Sequence, residues 1–371
     1  MERKFSLKKS INLMAMLLSV FIFPQELYSL QVTGLYSHRV AVSNESDSER
    51  NRAFQEAFKA VIVKVTGSRR WLFDPNIQGA VAGAQSYVEA IRYESQSASQ
   101  VADNGINNAD GLNENGFIEV SFSSSLIQAL LADANIPIWN SNRPSVLIWM
   151  VLQDASGSRT LLTEESHPEI SEYFQNFARI RAIPIIFPVL DFQDRQNLSE
   201  EDVWTLDSQK IVKASLRYGA DSILSGRLHF TSGGELIGLW QFIFQDEADV
   251  FDGVEENLND YLEVPLDRIT NRLADYFAVL SYSTPQASVN LKIEGIRNLG
   301  AYTSLMNYVS GLGLVYSVKA ANLDSGTLQL ELELLGEASQ LFEVIALDRD
   351  LVPIQSYQAV NPNFLHYRWT R

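Results

Sequence analysis

Apolar residues recur along this chain with two spacings, one typical of helices and one typical of strands. Between Asp47 and Gly67, apolar side chains fall three or four residues apart, which places them on one face of a helix. Between Asp221 and Gln245, two runs alternate with a period of two on either side of the turn sequence TSGG. This second pattern predicts a β-hairpin that is packed on one face.

The order of these elements predicts three modules after a leader at residues 1–29. Residues 30–138 read as an N-terminal α+β domain that ends before the linker WNSNRPS. Residues 145–283 alternate helices with apolar strands, which predicts a central α/β domain with a mixed sheet. After the linker STPQAS, residues 287–371 read strand, helix, strand, strand, helix, with a possible last strand. That order predicts a small split βαβ, or ferredoxin-like, domain.

The first residues of the chain have the pattern of a secretory signal peptide. Four basic residues precede an apolar run, Ile11–Phe23, which is short for a membrane span and ends at Pro24. Ser29 is the small residue at the expected cleavage position. The pattern predicts export through the Sec pathway to the periplasm, or an inner-membrane anchor if the signal is not cleaved. No later stretch is long and apolar enough to span a bilayer.

Composition narrows the classes of partner. The formal net charge is −16, which argues against general binding to nucleic acid or to anionic lipid surfaces. The chain contains no cysteine, which excludes disulfides, thiolate metal sites and a cysteine nucleophile. Composition does not name a positive partner. The predicted export favours a protein partner in the cell envelope, and the oligomeric state is left open.

The glycines of the segment YGADSILSGRLHF raise the question of a phosphate-binding loop. Such a loop needs a strand, then a glycine turn, then a helix N-terminus, because the helix amides hold the anion. Here a helix ends at Gly219 and a strand follows, so the order is reversed. Gly226 and Gly238 are instead expected to permit close packing or a bulge inside the hairpin.

The stretch after the hairpin, DEADVFDGVEENLNDYLE, is rich in acidic residues and has no basic one. Asp246, Asp249 and Asp252 lack the spacing of an EF-hand, and no glutamate stands at the twelfth position. The stretch is therefore expected to be a solvated loop and helix face rather than a calcium site.

Motifs for catalysis, metals and cofactors are missing from the sequence. It contains no dinucleotide fingerprint, Walker loop, zinc-protease motif or nucleophile elbow, and its four histidines are far apart. We therefore expect no cofactor and no metal. One candidate for chemistry is the pair Asp191 and Asp194, which follows an apolar strand where ligands gather in open α/β sheets. The pair could hold a cation or act as acid and base; the alternative is a capping or solubilising role at the loop.

Three further residues are candidates for contacts. Arg143, beside Trp139 in the first linker, is expected either to bind an anion or to pair with an acidic neighbour. Tyr367 and Trp369 alternate with polar residues near the C-terminus, which suits an edge strand that offers aromatic side chains to a partner. The alternative is a last strand docked on its own sheet.

Several segments in order resemble one family of proteins. They are AFQEAFKAVIVKVTG, IPIWNSNRPSVLIWMVLQ, IIFPVLDFQD, ASLRYGADSILSGRL and IEGIRNLGAYTSLMNYVSGL. They resemble secreted proteobacterial proteins of the domain of unknown function numbered two thousand and sixty-six. The resemblance covers most of the chain after residue 29. It implies an envelope protein of a Gram-negative bacterium and supplies no activity or site residue.

Taken together, the sequence favours a non-catalytic interaction or scaffold protein of the cell envelope. Partner contact is expected at the outer faces of the hairpin, at the polar loop 95–116 or at the C-terminal strand. The alternative is a small-ligand or cation-binding protein, or a hydrolase, with a site near Asp191 and Asp194.

Overall fold

The computed structural model describes residues 32–94, 116–154, 156–231, 236–245, 247–255, 257–280, 285–347, 350–354 and 363–370. The predicted signal peptide lies outside the described residues, as does the polar loop 95–116 except for its last residue. The chain has an α+β fold built on three sheets, which confirms the coarse fold class. The finer division into three modules stays a prediction.

The first sheet has three antiparallel strands in the order β1-β3-β2. The strands are β1 (Ser37–Val42), β2 (Val88–Glu94) and β3 (Gly116–Phe122). The helices that accompany them are α1 (Asp47–Thr66), α2 (Pro75–Ala82) and α3 (Ser124–Asp133). Helix α1 buries the apolar face predicted for it and ends at Gly67, whose φ of 71° is left-handed. That conformation favours glycine and closes the helix with a backbone bond to Val63.

The second sheet has the order β5-β4-β7-β8-β9, and β6 pairs with β4 in parallel. The strands are β4 (Val146–Gln153), β5 (Arg159–Leu161), β6 (Ile185–Ile186), β7 (Ser222–Phe230), β8 (Leu236–Phe244) and β9 (Glu247–Glu255). Strands β4 and β7 are parallel, whereas β7, β8 and β9 are antiparallel neighbours, so the sheet is mixed.

Helices cover this sheet on two sides. They are α4 (Pro168–Arg181), α5 (Phe192–Asn197), α6 (Glu200–Trp204), α7 (Ser208–Ser215) and α8 (Leu258–Phe277). Helices α4 and α8 share one apolar core with Trp240 and Phe242 of β8. Helices α6 and α7 pack against the opposite face, where Trp149 of β4 is fully buried and donates to Ser215 Oγ at 2.9 Å.

The third sheet has the order β11-β12-β10-β14-β13. Its elements are β10 (Ala287–Glu294), α9 (Leu299–Gly311), β11 (Val315–Asp324), β12 (Thr327–Leu334), α10 (Ala338–Ala346), β13 (Leu351–Pro353) and β14 (Phe364–Trp369). Strand β12 lies between β10 and β11, as in a split βαβ unit. The end differs from the predicted pattern, because β14 inserts between β10 and β13 and runs parallel to β10.

The predicted hairpin is β7–β8, and its glycines serve close packing. A Cβ at Gly226 would lie 2.5 Å from the ring of Trp240, which occupies that space. A Cβ at Gly238 would lie 1.8 Å from Tyr261 Oη and 2.1 Å from the carbonyl oxygen of Arg227. Both glycines therefore make room for aromatic side chains against the strands.

One strand of the second sheet was not expected. The sequence predicted a solvated loop and helix face for the acidic stretch after the hairpin, and that prediction is wrong for Glu247–Glu255. These residues form β9 and pair with β8 over nine consecutive positions. The physical reason is that Phe251, in the middle of the acidic run, is buried against α8.

Candidate functional site

Asp191 and Asp194 form an internal ion cluster. The Arg217 guanidinium donates to both oxygens of Asp191, at 2.6 and 2.8 Å, and to Asp194 Oδ1 at 2.9 Å. The other oxygen of Asp194 accepts from the Leu190 amide at 3.0 Å and from the Tyr218 hydroxyl. Hydrogen bonds from Arg217 hold the pKa of Asp191 well below its usual range, and burial raises the pKa of Tyr218.

Within this cluster the carboxylate of Asp194 is buried, whereas the side chain of Asp191 remains 42% exposed. Asp194 is 1% exposed, and Asp191 is the N-cap of α5, where it accepts from the Asp194 amide at 3.0 Å. A cavity of about 710 Å³ lies nearby, but neither aspartate is among the described residues that line it. Asp191 therefore has the capping role that the sequence offered as the alternative, and the hypothesis of a cation or acid–base site at the pair stays a prediction.

Arg143 is 3% exposed and is bound by backbone carbonyl groups. Its guanidinium donates to Arg181 O and Ala182 O at 3.0 Å, and also to the carbonyls of Lys64, Trp139 and Asn140. Within the described chain, no carboxylate lies at ion-pair distance from it. The predictions of an exposed anion site or an acidic partner at this residue are therefore both wrong.

Three of the carbonyl partners of Arg143, those of Lys64, Arg181 and Ala182, lie at the C-terminal ends of two helices. Lys64 is in the last turn of α1, and Arg181 ends α4. Carbonyl groups at a helix C-terminus lack intrahelical partners and carry partial negative charge, so a buried cation is stabilised there without a carboxylate. Burial, together with the nearby Arg181, lowers the pKa of Arg143 to about 9, so the guanidinium remains charged at neutral pH. Arg143 thus joins α1 to α4.

Tyr367 and Trp369 are not available to a partner. They are 2% and 4% exposed and belong to the apolar core of the third sheet. Their strand, β14, is paired on both sides, so it is not an edge strand. The prediction of partner-binding aromatics is wrong, and the alternative of a strand docked on its own sheet is correct.

The most exposed apolar surface of the second sheet lies on β8 and β9. Ile237, Val250 and Val254 are 41%, 51% and 62% exposed. Ile237 stands directly opposite Val254, and Val250 stands opposite Gln241. Residues that are paired in this way, or are an even number of positions apart on one strand, point to the same face of the sheet, so the three side chains share one face, with exposed Asp252 between Val250 and Val254.

These three side chains lie on the face that α6 and α7 cover only in part. Gln241 donates to Ser208 Oγ at 2.9 Å, which marks the limit of α7 over β8. Beyond that contact, the described helices leave Ile237 and Val254 exposed. We call this surface, Ile237, Val250 and Val254 with the free edge of β9, the β9 surface.

Strand β9 is an edge strand within the described part of the sheet, because it pairs with β8 alone. Its other face is fixed by α8: Arg268 binds Asp249 at 3.0 Å and Arg272 binds Glu247 at 3.0 Å. Asp252 is exposed on the same face as the valines. The β9 surface therefore combines an open backbone edge, apolar side chains and negative charge.

Sequence reasoning named the outer face of the hairpin as a contact surface but missed β9. A signal was present, because Ala248, Val250 and Val254 alternate with acidic residues on the other side of the strand. The many carboxylates made this strand pattern look like a solvated segment. The arginines that pair with them are in a helix further along the chain, so the pairing could not be seen from the local sequence.

Groups that could hold a metal ion were not found in the described residues, where no three histidine or acidic side chains come together. None of the described helices combines the length and the apolar composition that a membrane crossing requires.

Two solved structures illustrate what the chain is similar to. One is the LpoB C-terminal domain from Salmonella enterica, with 16% identity and a TM-score of 0.23, covering 31% of this chain and 83% of that domain. The other is an uncharacterized protein, with 10% identity and a TM-score of 0.16, covering 36% of this chain and 88% of that one. TM-scores this low do not establish a shared fold.

The comparisons by sequence give a family for part of the chain. No curated protein matches. The resemblance to the family stated under Sequence analysis stays a prediction for the chain as a whole. Residues 29–140 match the model of a domain of unknown function, DUF8605.

Proposed function

We propose that this chain is a non-catalytic interaction protein of the bacterial cell envelope, and that it binds a protein partner with the β9 surface. The observation that carries the proposal is the set of exposed residues Ile237, Val250 and Val254 beside a strand edge that has no partner among the described residues. The envelope location rests on the signal-peptide pattern at residues 1–29.

A free strand edge is a template for another strand. Its unpaired amide and carbonyl groups give affinity to an incoming extended segment, and pockets or faces for alternate side chains give specificity. Contiguous exposed apolar side chains commonly mark protein interaction sites. On β9 the two features coincide, so one extended segment can pair with the backbone while its side chains cover Val250 and Val254.

The charges of β9 indicate the chemistry of that segment. Asp252 and Glu255 are not paired with an arginine within the described chain, whereas Glu247 and Asp249 are. Like charges directly opposite each other destabilise a strand pair, and opposite charges stabilise it. The partner segment is therefore expected to alternate apolar and basic residues.

The competing hypothesis of an enzyme or cation-binding site is weakened by the ion cluster at α5. Its candidate acidic residues were Asp191 and Asp194, and both carboxylates bind Arg217. Its third candidate, Arg143, is buried and bound by backbone carbonyl groups. This geometry supports the interaction function over the alternative.

The proposal is tested by site-specific photo-crosslinking in cells that export the full-length chain. A benzophenone side chain replaces Val254 in one strain and Val264, an exposed valine of α8, in a matched control strain. We expect a reproducible adduct of defined mass at position 254 and none at position 264. A chain that remains uncrosslinked at position 254, or the same adducts at both positions, would contradict the proposal. An adduct with twice the mass of the chain would identify a second copy as the partner and would contradict the predicted basic partner.

A further inference from the structure

A cleft lies between the first sheet and the C-terminal half of α4. It has a volume of about 790 Å³ and is bordered by β1, β3, the end of α1 and residues 176–185. Volumes of this size are typical of small-molecule sites, which often form where separate structural units meet. The cleft lies away from the β9 surface, so its function is independent of the function proposed above.

The charge of the cleft is opposite to that of the chain. Three cationic side chains line it, Arg39, Lys64 and Arg179, although the chain has a net charge of −16. Glu119 is the acidic residue among the described lining. Arg39 is paired with Glu94 at 3.0 Å. Neither Lys64 nor Arg179 has a carboxylate at ion-pair distance within the described residues.

Lys64 is held with its ammonium group at the cleft wall. Its Nζ donates to the Ser37 carbonyl oxygen at 2.8 Å, which uses one of its three protons. Arg143, fully buried, donates to the Lys64 carbonyl group from behind. Burial is the main cause that lowers the pKa of Lys64, repulsion by Arg143 adds to it, and attraction by Glu119 opposes it in part. The cleft therefore contains a partly buried cation that a bound anion would stabilise.

The remaining lining is mixed: Thr33, Ser37 and Asn176 are polar, and the other part is apolar. The apolar part includes Phe117, over whose ring the Arg39 guanidinium lies at 3.9 Å, and the segment from Ile183 to Ile185. A ligand that fits this lining has an anionic end and a hydrocarbon body. His38 lines the same cleft, and burial together with Lys64 lowers its pKa to about 4. The imidazole is therefore neutral at pH 7 and compatible with an apolar ligand.

We propose that this cleft binds a small amphipathic carboxylate, with the carboxylate held by Lys64 and Arg179 and the hydrocarbon body packed against Phe117 and residues 183–185. Hydrogen bonds between charged partners are the strongest contribution available to such a complex, and a concave apolar wall excludes water from them.

Isothermal titration of the purified full chain with decanoate tests the proposal. Three further probes test the features of the ligand separately. Acetate lacks the hydrocarbon tail, decanol lacks the charge, and decyltrimethylammonium has a positive charge instead of a negative one. We expect decanoate to bind with one site per chain and the three other probes to bind at least about 10-fold more weakly. Equal binding of decanol or of the cationic probe, or no binding of decanoate, would overturn the proposal.

Substitutions of the cleft residues test whether decanoate binds in the cleft. Arg179→Gln and Lys64→Met are each expected to weaken decanoate binding about 10-fold, which corresponds to the loss of one charged hydrogen bond. Lys59→Gln, an exposed lysine on α1, is the matched control and is expected to bind like the wild type. Arg179 is exposed, so its variant keeps the fold even if Lys64→Met does not. Unchanged affinity in Arg179→Gln, with a thermal unfolding midpoint like that of the wild type, would overturn the assignment.

Discussion

Two buried arginines join parts of the chain that are far apart in sequence. Arg143 binds the last carbonyl groups of α1 and α4, whereas Arg181 binds Asp267 and Asn271 of α8 and the carbonyl oxygen of Gly67 at 2.8 Å. Planar guanidinium groups suit these positions because their five donors are fixed in one plane and satisfy several acceptors at once. At the scale of residues, these two side chains fix how α1, α4 and α8 meet.

Arg181→Met is expected to lower the free energy of unfolding by about 2–4 kcal/mol, because Asp267, Asn271 and Gly67 lose a shared donor. This expected loss of free energy is small for the disruption of a buried ion pair, because Asp267 remains partly exposed to water and still interacts with Arg69. Urea unfolding followed by circular dichroism measures the change. The control Arg50→Met removes an exposed pair with Asp47 and is expected to change the free energy by less than about 1 kcal/mol. Equal effects of the two variants would contradict this role of Arg181.

His38 predicts a pH dependence of stability. Its folded pKa of about 4 lies below the unfolded value of 6.5, so the unfolded chain binds more protons between these values. Its contribution to stability is therefore present above about pH 6.5 and is lost as the pH falls toward 4. The loss amounts to at most about 3 kcal/mol.

The His38→Gln variant measures that contribution. The decrease in free energy of unfolding between pH 7 and pH 4.5 is expected to be smaller in the variant than in the wild type. If both chains lose the same stability over this range, the assigned shift in the pKa of His38 is wrong.

At the scale of elements, the hairpin β7–β8 depends on two positions that have no side chain. Trp240 lies against Gly226, and Tyr261 of α8 lies against Gly238. Tyr261 donates to the carbonyl oxygen of Arg227 at 3.2 Å, which brings α8 close to the sheet. These contacts bury the aromatic face of the hairpin and leave the opposite face of β8 and β9 to form the β9 surface.

Gly238→Ala is expected to destabilise the chain by about 1–3 kcal/mol, since the added methyl group would overlap Tyr261 and the Arg227 carbonyl group. Gly79→Ala is the matched control. Gly79 is inside α2, and no atom lies within 4 Å of the position of a new Cβ. That variant is expected to be more stable by about 0.5–1 kcal/mol, because alanine favours a helix. Thermal or urea unfolding of both variants measures these changes in stability. A Gly238→Ala chain as stable as the wild type would contradict the packing described.

The sequence predicted local elements better than contacts between them. The helix between Asp47 and Gly67, the hairpin and the close packing at its glycines all follow from residues that are neighbours along the chain. Strand β9 could not be predicted from neighbouring residues, because the partners of its carboxylates, Arg268 and Arg272, lie in α8. Of the candidate sites, the hairpin's outer face was foreseen as a contact surface. The cleft was not, because Lys64 and Arg179 come together only when α1 and α4 meet.

At the scale of the whole molecule, negative and positive side chains are concentrated on two different surfaces. The negative net charge and the acidic β9 surface favour a basic partner, whereas the cleft beside α4 is lined by three cations, of which Lys64 and Arg179 lack carboxylate partners within the described residues. Two surfaces of opposite character suit a protein that binds two different ligands.

The most direct measurement is amide hydrogen exchange of β9 in the complex with the partner captured at position 254. An added strand would hydrogen-bond the outward amides of Glu247–Glu255, so we expect their exchange to slow by at least about 10-fold when the partner binds. The Val250→Lys/Val254→Lys chain should show no such protection, whereas Val264→Lys should behave like the wild type. Protection elsewhere, with β9 unchanged, would contradict the account.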